Sequence, residues 1–465
     1  MQDIAFRGET DESSNFYQVV QLVSRHCSLL KYWLNEKRMH PYHVTYMSRC
    51  SQNEFIKLIG DAVRDRVVKK LEEAPAFSVM ADTTPDVSNK DQMSIVVRYV
   101  ADNTPVERLL SLTVLEDKSG DGHATEILRC LNEHGINVEK LYFQSYDFTA
   151  CMSGEYNGCH KKLNDKIQKD FPEKEIPYIP CQAHRLNTFV ERSCKASTIV
   201  SSMFTVLQLL YSFFSSSTKR SEALAKAQEI IEGALKLRNL SQTRWIARSE
   251  SIDSVWISFE CVVSLLQKIV NKELKSDTNT QDQAKALLKK MKKYDFIFSL
   301  GIMKFIMRHC KLLAVQLQEG LNLLDAISLV STTTKSLEGI RNETDVNNQV
   351  KAAVEMARQV GCDPEQEFSK NHRKRMPPLR LDDRRENEAE VGFASFYRKE
   401  MFSVLDQLIA DCRENWNRVF ANIKPFSVLL PPWEEVNETS ADSLCMLLGG
   451  SITSGNLLGE LSILR

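Results

Sequence analysis

The sequence predicts an α/β fold: a mixed five-stranded sheet with a helical segment before it and a large all-helical domain after it. Three observations predict it. Phe77–Asp82 (FSVMAD) and Leu141–Asp147 (LYFQSYD) are apolar, strand-like runs that each end on an aspartate. Between them lie two β-rich runs, Met93–Val100 and Val106–Leu115, and a short helical pattern from His123 to His134. After Asp147 come a helical segment, the short run Ile176–Pro180 and a helix starting near His184. The order strand, strand, strand, helix, strand, helix, strand, helix is that of a ribonuclease-H-like sheet, in which the first and fourth strands are neighbours. Asp82 and Asp147 are then expected to meet at one sheet edge. Two carboxylates there can hold magnesium, a hard cation that takes oxygen ligands and bridges to phosphate.

Taken in order, residues 1–76 read as helical. Phe16 to Trp33 carries Val19, Val20, Leu22, Val23, Leu29 and Leu30 near helical spacing, and Asn53 to Leu71 repeats the pattern. Ser51 is a candidate cap, with Glu54 completing a capping box. Asp117–Gly122 reads as a solvated turn, because its residues accept unusual backbone angles and lack the spacing of a calcium loop. Helical faces recur over Met203–Phe214, Ser221–Leu235, Ile252–Val270, Asp282–Lys293 and Phe305–Leu317. Sparse proline and glycine there suit helices joined by short loops. Gly361–Glu390 lacks an apolar period and reads as an exposed loop. Its basic cluster, Arg373-Lys374-Arg375, is a candidate phosphate contact or nuclear-import signal, offset nearby by Asp382, Asp383, Glu386, Glu388 and Glu390. A helix returns over Phe393–Trp416, and residues 431–465 read as a poorly structured tail.

Composition sets outer bounds. The 465 residues are 43% apolar and 26% charged, enough for two or three domains with a sizeable core. A formal net charge of −1 means that nucleic-acid binding would need a local basic face. No run of 18 apolar residues and no basic-then-apolar leader pattern is present, so a nuclear or cytoplasmic, non-secreted protein without a membrane partner is expected. The 12 scattered cysteines suit reduced thiols.

The same residues carry a resemblance. Ala81-Asp82-Thr83-Thr84-Pro85-Asp86-Val87-Ser88, Tyr146-Asp147-Phe148-Thr149-Ala150-Cys151-Met152-Ser153-Gly154-Glu155-Tyr156-Asn157-Gly158, Cys181-Gln182-Ala183-His184-Arg185-Leu186-Asn187 and Gln242-Thr243-Arg244-Trp245 stand in that order. They resemble the first-aspartate, second-aspartate, C-x-x-H and R-W blocks of hAT-superfamily transposases and their domesticated relatives. The subgroup they resemble is the transposase-like regions of MYM-type zinc-finger proteins and the repressor of the inhibitor of the interferon-induced protein kinase. The resemblance implies a ribonuclease-H-like domain over 77–245, interrupted by a helical insertion over 246–430.

The resemblance also assigns roles. Asp82 and Asp147 take the metal-site positions. Two-metal phosphoryl transfer uses a third carboxylate, which the family carries in a Ser-Glu-Arg block with a hydrophobic dimerisation segment after the insertion. Neither is found before Arg465, and no N-terminal zinc finger or C-x-x-C pair is found either. Where relatives place Gly after the second aspartate and Asn four residues after it, this chain has Phe148 and Cys151. A vestigial centre is therefore expected, with no cofactor, or Mg2+ if strand transfer survives. Trp245 matches a tryptophan that stacks on a base near the cleavage site, at about 1–3 kcal/mol per stacked base; a structural anchor is an equal reading. Arg244 and Arg248 are candidate DNA contacts. Cys181 and His184 have metal-like spacing, with Cys159-His160 upstream, but lack the partner spacing of a zinc finger. They read as a buried thiol and a hydrogen-bonded histidine, and a thiol enzyme lacks any context placing a base beside an exposed cysteine. The expectation is a domesticated or truncated transposase-like protein, catalytically silent, working in the nucleus on DNA or protein partners. The alternative is an active, metal-dependent DNA strand-transferase.

Overall fold

In the computed structural model the sheet is built from two tight turns and the strands they join. β1 (Phe77–Pro85) and β2 (Asp91–Ala101) are antiparallel, with Asp82 opposite Ser94. Asp86 shapes the turn between them: its Oδ1 accepts from the Ser88 N–H at 2.8 Å, the Ser88 hydroxyl at 2.7 Å and the Lys90 N–H at 3.0 Å, while Oδ2 accepts from Gln92 Nε2 at 2.9 Å. Those donors, the Ser88 hydroxyl foremost, hold the Asp86 carboxyl down at about 2. β3 (Thr104–Val114) follows through Asp102 and Asn103, both with positive φ (52° and 58°). Two left-handed residues are what a two-residue hairpin of matching twist demands, and Asp and Asn tolerate that region best after glycine. The β2–β3 register shifts between Ile95 and Val96, a bulge that the sequence pattern does not show.

The structure describes residues 6–464 other than 7, 11, 37, 39–45, 230, 235, 238–244, 275, 319–322, 372–391, 430–437 and 449–452. They fall into two compact units, 1–144 with 155–176, and 145–154 with 177–465.

In the first unit β4 (Leu141–Ser145) joins β1 to give the order β3-β2-β1-β4. Before the sheet come α1 (Asn15–Ser24), α2 (Ser28–Asn35) and α3 (Arg49–Glu73). The single helical run expected over 16–33 is thus two helices. The cap of α3 is Ser48, whose hydroxyl accepts from the Ser51 N–H, rather than Ser51 itself. α4 (Gly120–Glu133) starts inside the expected turn, capped by Ser119. Gly122 is required there, because a Cβ would sit 2.2 Å from the Asp117 carbonyl oxygen. After the four-residue α5 (Ala150–Ser153), which belongs to the second unit, α6 (Cys159–Ile167) packs on α4. The core is the alternating set Phe77, Val79, Ala81, Met93, Ile95, Val97 and Tyr99 with Ile127, Leu131 and Leu163.

Among the described residues the sheet has four strands, where five are expected. The fifth run, Ile176–Pro180, keeps only an isolated bridge at Tyr178. Pro177 and Pro180 have no N–H to give a ladder. The backbone of Ile176 is satisfied by side chains instead: its N–H donates to Asn164 Oδ1 at 2.9 Å, and its carbonyl accepts from Asn164 Nδ2 at 3.0 Å and Gln144 Nε2 at 2.8 Å.

The second unit is helical. α7 (Gln182–Lys195), α8 (Thr198–Ser215) and α9 (Thr218–Gln228) lead to α10 (Trp245–Ile257) and α11 (Phe259–Val270), which divide at Ser258 the run expected over 252–270. α8 is long and apolar enough to cross a membrane by composition, but Val200, Met203, Leu207, Leu210 and Phe214 on it are buried in the helical core. α12 (Thr278–Met291) precedes α13 (Tyr294–Gln318), the 25-residue axis of the unit, about 37 Å long. Ile297, Phe298, Leu300, Ile302, Met303 and Ile306 of α13 are all fully buried, so this first part of the helix is enclosed on every side, while Leu312 further along is exposed. α14 (Leu323–Gly339), α15 (Glu343–Gln359), α16 (Pro364–Asn371) and α17 (Phe393–Ile423) pack around it.

α16 occupies the start of the expected 361–390 loop, and the remainder, with the 373–375 cluster, lies outside the described residues. Two contacts order α16. Phe368 joins the Phe393 and Tyr397 rings, at 5.5 and 6.0 Å between centroids. Glu367 Oε2 accepts from the Tyr294 N–H at 2.8 Å and so caps the start of α13 from 73 residues away in sequence. In the tail, expected to be poorly structured, the described residues form α18 (Glu438–Leu448) and α19 (Ser454–Leu464), joined by a small core of Ala441, Leu444, Leu457 and Leu461.

Candidate functional site

Asp82 lies on β1 in the first unit, exposed, in the strand that neighbours β4. Its Oδ1 accepts from the Thr83 N–H at 2.9 Å, and its carbonyl from the Ser94 hydroxyl at 3.1 Å. Thr83 leads inward to a residue that sequence reasoning missed. His123 is 3% exposed; its Nδ1 is 2.7 Å from the Ser119 carbonyl, and its Nε2 is 3.2 Å from Thr83 Oγ1. A carbonyl only accepts, so Nδ1 carries a hydrogen. His123 thus ties the start of α4 to the residue after Asp82. Ser119 and His123 stand four apart, a helical spacing hidden by reading 117–122 as a turn.

Asp147, two residues beyond β4, belongs to the second unit. Its Oδ1 accepts from both the N–H (3.1 Å) and the hydroxyl (2.7 Å) of Thr149, and its carbonyl from the Tyr178 hydroxyl at 2.6 Å. This is an Asx-type turn leading into α5. Beside it, the Phe148 ring lies 5.4 Å from the guanidinium of Arg185, which also stands 5.5 Å from the Phe189 ring. Arg185 is 2% exposed, so this cation–π pairing is largely desolvated, where such contacts are strongest. Gln182 Oε1, an acceptor for Arg185 Nη1 at 3.4 Å, also takes the Trp416 indole N–H at 2.6 Å. Arg185 was not among the residues singled out from sequence; its place inside the C-x-x-H block is the signal that pointed there.

Cys181 is exposed, which corrects the expectation of a buried thiol; its backbone N–H donates to the Tyr146 carbonyl at 2.8 Å, and it precedes the first turn of α7. His184 lies in the first turn of α7 and is half-buried. Cys159 is the fully buried thiol, at the start of α6, and the His160 carbonyl accepts from Gln144 Nε2. Among the described residues no group of three or more His, Cys, Asp or Glu is placed to hold a metal ion. All 12 cysteines are free, and burial pushes Cys194 and Cys310 up to about 12, far from a reactive thiolate.

Trp245 opens α10, and its side chain and Arg244 lie outside the described residues. Arg248 is half-buried with its guanidinium 5.7 Å from the Phe204 ring, so it packs against the helical core. Each aspartate already accepts local hydrogen bonds at Oδ1.

Residues 1–158 match the family model described as DUF4371: ZMYM1/FAM200, RNase-like domain. Over 317 residues the chain is 19% identical to the 52 kDa repressor of the inhibitor of the protein kinase of Mus musculus, an alignment covering 65% of this chain and 40% of that protein. The chain therefore aligns with two fifths of that relative's length. An RNase-like domain at the N-terminal end and this distant similarity over most of the chain together support its assignment to a transposase-derived family.

Proposed function

We propose that the chain is a domesticated, hAT-type transposase-derived interaction module that lacks strand-transfer activity and works in the nucleus through contacts with DNA or protein partners. The observation that carries this reading is the use of Asp147. Its Oδ1 holds the turn into α5 through two bonds from Thr149, and the neighbouring Phe148 pairs with the buried Arg185. A carboxylate and its neighbour fixed this way serve the local fold, whereas two-metal chemistry needs carboxylates free to share cations. The neighbouring positions of β1 and β4 support a ribonuclease-H-like ancestry for the sheet. The name of the mouse relative describes repression of an inhibitor, which fits a protein acting by contact rather than by DNA chemistry.

Calorimetric titration with magnesium and with manganese tests the reading. Weak or no heat of binding is expected. A tight, stoichiometric site lost in Asp147→Ala would favour an active strand-transferase.

A further inference from the structure

The second unit holds an open groove of about 320 Å³ between α17 and the turn joining α14 to α15. Ser395, Arg398, Lys399, Phe402 and Asp406 line it from one face of α17, at the three- and four-residue steps that bring helix side chains into a row, and Arg341 closes it from the turn. From Ser395 to Asp406 the row is about 16 Å long. Arg341 is held in place: its Nε and Nη2 pair with the two oxygens of Asp406, and its guanidinium lies 4.4 Å from the Phe402 ring centroid. Arg398 Nη1 pairs with Glu343 at 2.6 Å. Lys399 makes no ion pair among the described residues.

We propose that this groove binds phosphodiester groups of a nucleic-acid strand. Three cations against two carboxylates leave one net positive charge, which matches the single charge of a phosphodiester and falls short of a phosphomonoester's −1.5 to −2 or so. The pairs are half-exposed, with side-chain exposures of 42% and 51% for Arg341 and Asp406 and 43% and 74% for Arg398 and Glu343. Ion pairs that exposed are weak, so Arg398 exchanges its partner at little cost. Arg341 keeps its partner and presents a guanidinium fixed between Asp406 and the Phe402 ring, a planar fork of the kind suited to phosphate. An open row of cations, rather than an enclosed cavity, suits an extended polyanion passing along α17. The inference rests on the reading of the chain as an interaction module and commits that module to nucleic acid.

The test is fluorescence anisotropy of a labelled DNA duplex and its single strand with the full chain, titrated from about 50 to 200 mM salt. Arg398→Glu/Lys399→Glu is compared with Lys289→Glu/Lys290→Glu, an equal charge change on the exposed face of α12. The single change Lys399→Glu, which disturbs no ion pair among the described residues, guards against misfolding of the double variant. The expected result is binding by the native chain and an affinity loss of about tenfold or more in the groove variants only. The slope of log affinity on log salt should also fall by about one for each cation removed. DNA binding that the groove variants keep overturns the groove while leaving the interaction module standing. No DNA binding by the native chain overturns the nucleic-acid assignment, and so does equally tight, groove-dependent binding of polyglutamate, which reassigns the groove to an acidic protein segment.

Discussion

The sheet unit and the helical unit are held together on different terms. In the helical unit, packing dominates: the stretch Ile297–Ile306 of α13 is enclosed by the core, and Tyr294, Phe298, Phe393 and Tyr397 interlock at centroid distances of 4.8–5.2 Å. The sheet unit leaves much of its apolar surface in water, including Ile59 at 65%, Val63 at 58% and Leu112 at 61%. It relies instead on polar side chains that take over backbone hydrogen bonds: Asp86 in a turn, Asn164 and Gln144 around Ile176, His123 at the start of α4. Damage to the first unit should therefore come from lost hydrogen bonds, and damage to the second from lost volume.

The largest effect is expected from Trp416→Ala. Trp416 is 1% exposed, meets Phe189 edge-on at 5.8 Å and donates to Gln182, so truncation should cost about 3–5 kcal/mol. Guanidinium denaturation followed by far-UV circular dichroism should show the helix-rich transition moving to lower denaturant; an unmoved midpoint contradicts the packing account.

Next comes Asn164→Leu, nearly equal in size but unable to serve Ile176. The Ile176 N–H loses its acceptor and its carbonyl keeps only Gln144, at about 1–3 kcal/mol for a buried group left unpaired. Hydrogen exchange should report early opening around residue 176, and native-like protection there would show that the amide is dispensable. Asp147→Ala should cost roughly 1 kcal/mol through the lost turn, while Asp147→Asn, which keeps the acceptor, should sit within a few tenths of the native chain. Equal losses in both would point to a role for the charge.

The smallest effect is a pH dependence. The folded Asp86 carboxyl sits at about 2, below its unfolded value of 3.8. Its contribution is therefore complete above that unfolded value and fades as pH falls from there to about 2. Asp86→Asn should flatten the acid limb of a melting-temperature profile in that window and leave the neutral region nearly level. A steeper acid limb in the variant would reverse the sign and refute the assignment.

Much of the first unit was legible in sequence because Phe77–Asp82 and Met93–Val100 are continuous apolar, β-rich runs. The neighbouring places of the first and fourth strands followed from element order. The fifth strand was misread because apolarity at Ile176 and Ile179 outweighed the two prolines, and nothing local reveals that Asn164 would take the strand partner's place. The same holds for Glu367: a cap supplied to α13 from 73 residues away leaves no local trace. At the site, the motifs marked Asp82 and Asp147, but the Thr149 bonds, the Arg185–Phe148 pairing and the exposure of Cys181 depend on tertiary placement. His123 was hidden by a glycine-rich stretch whose glycine answers to a close backbone approach, not to a turn.

The central proposal is that this chain lacks strand-transfer activity. Its most direct test is incubation of the purified chain with magnesium or manganese and duplex or hairpin DNA, with nicked and joined products resolved on denaturing gels. The account predicts products at background level for the native chain, Asp82→Ala and Asp147→Ala alike. Cleavage or joining by the native chain that disappears in either variant would contradict it.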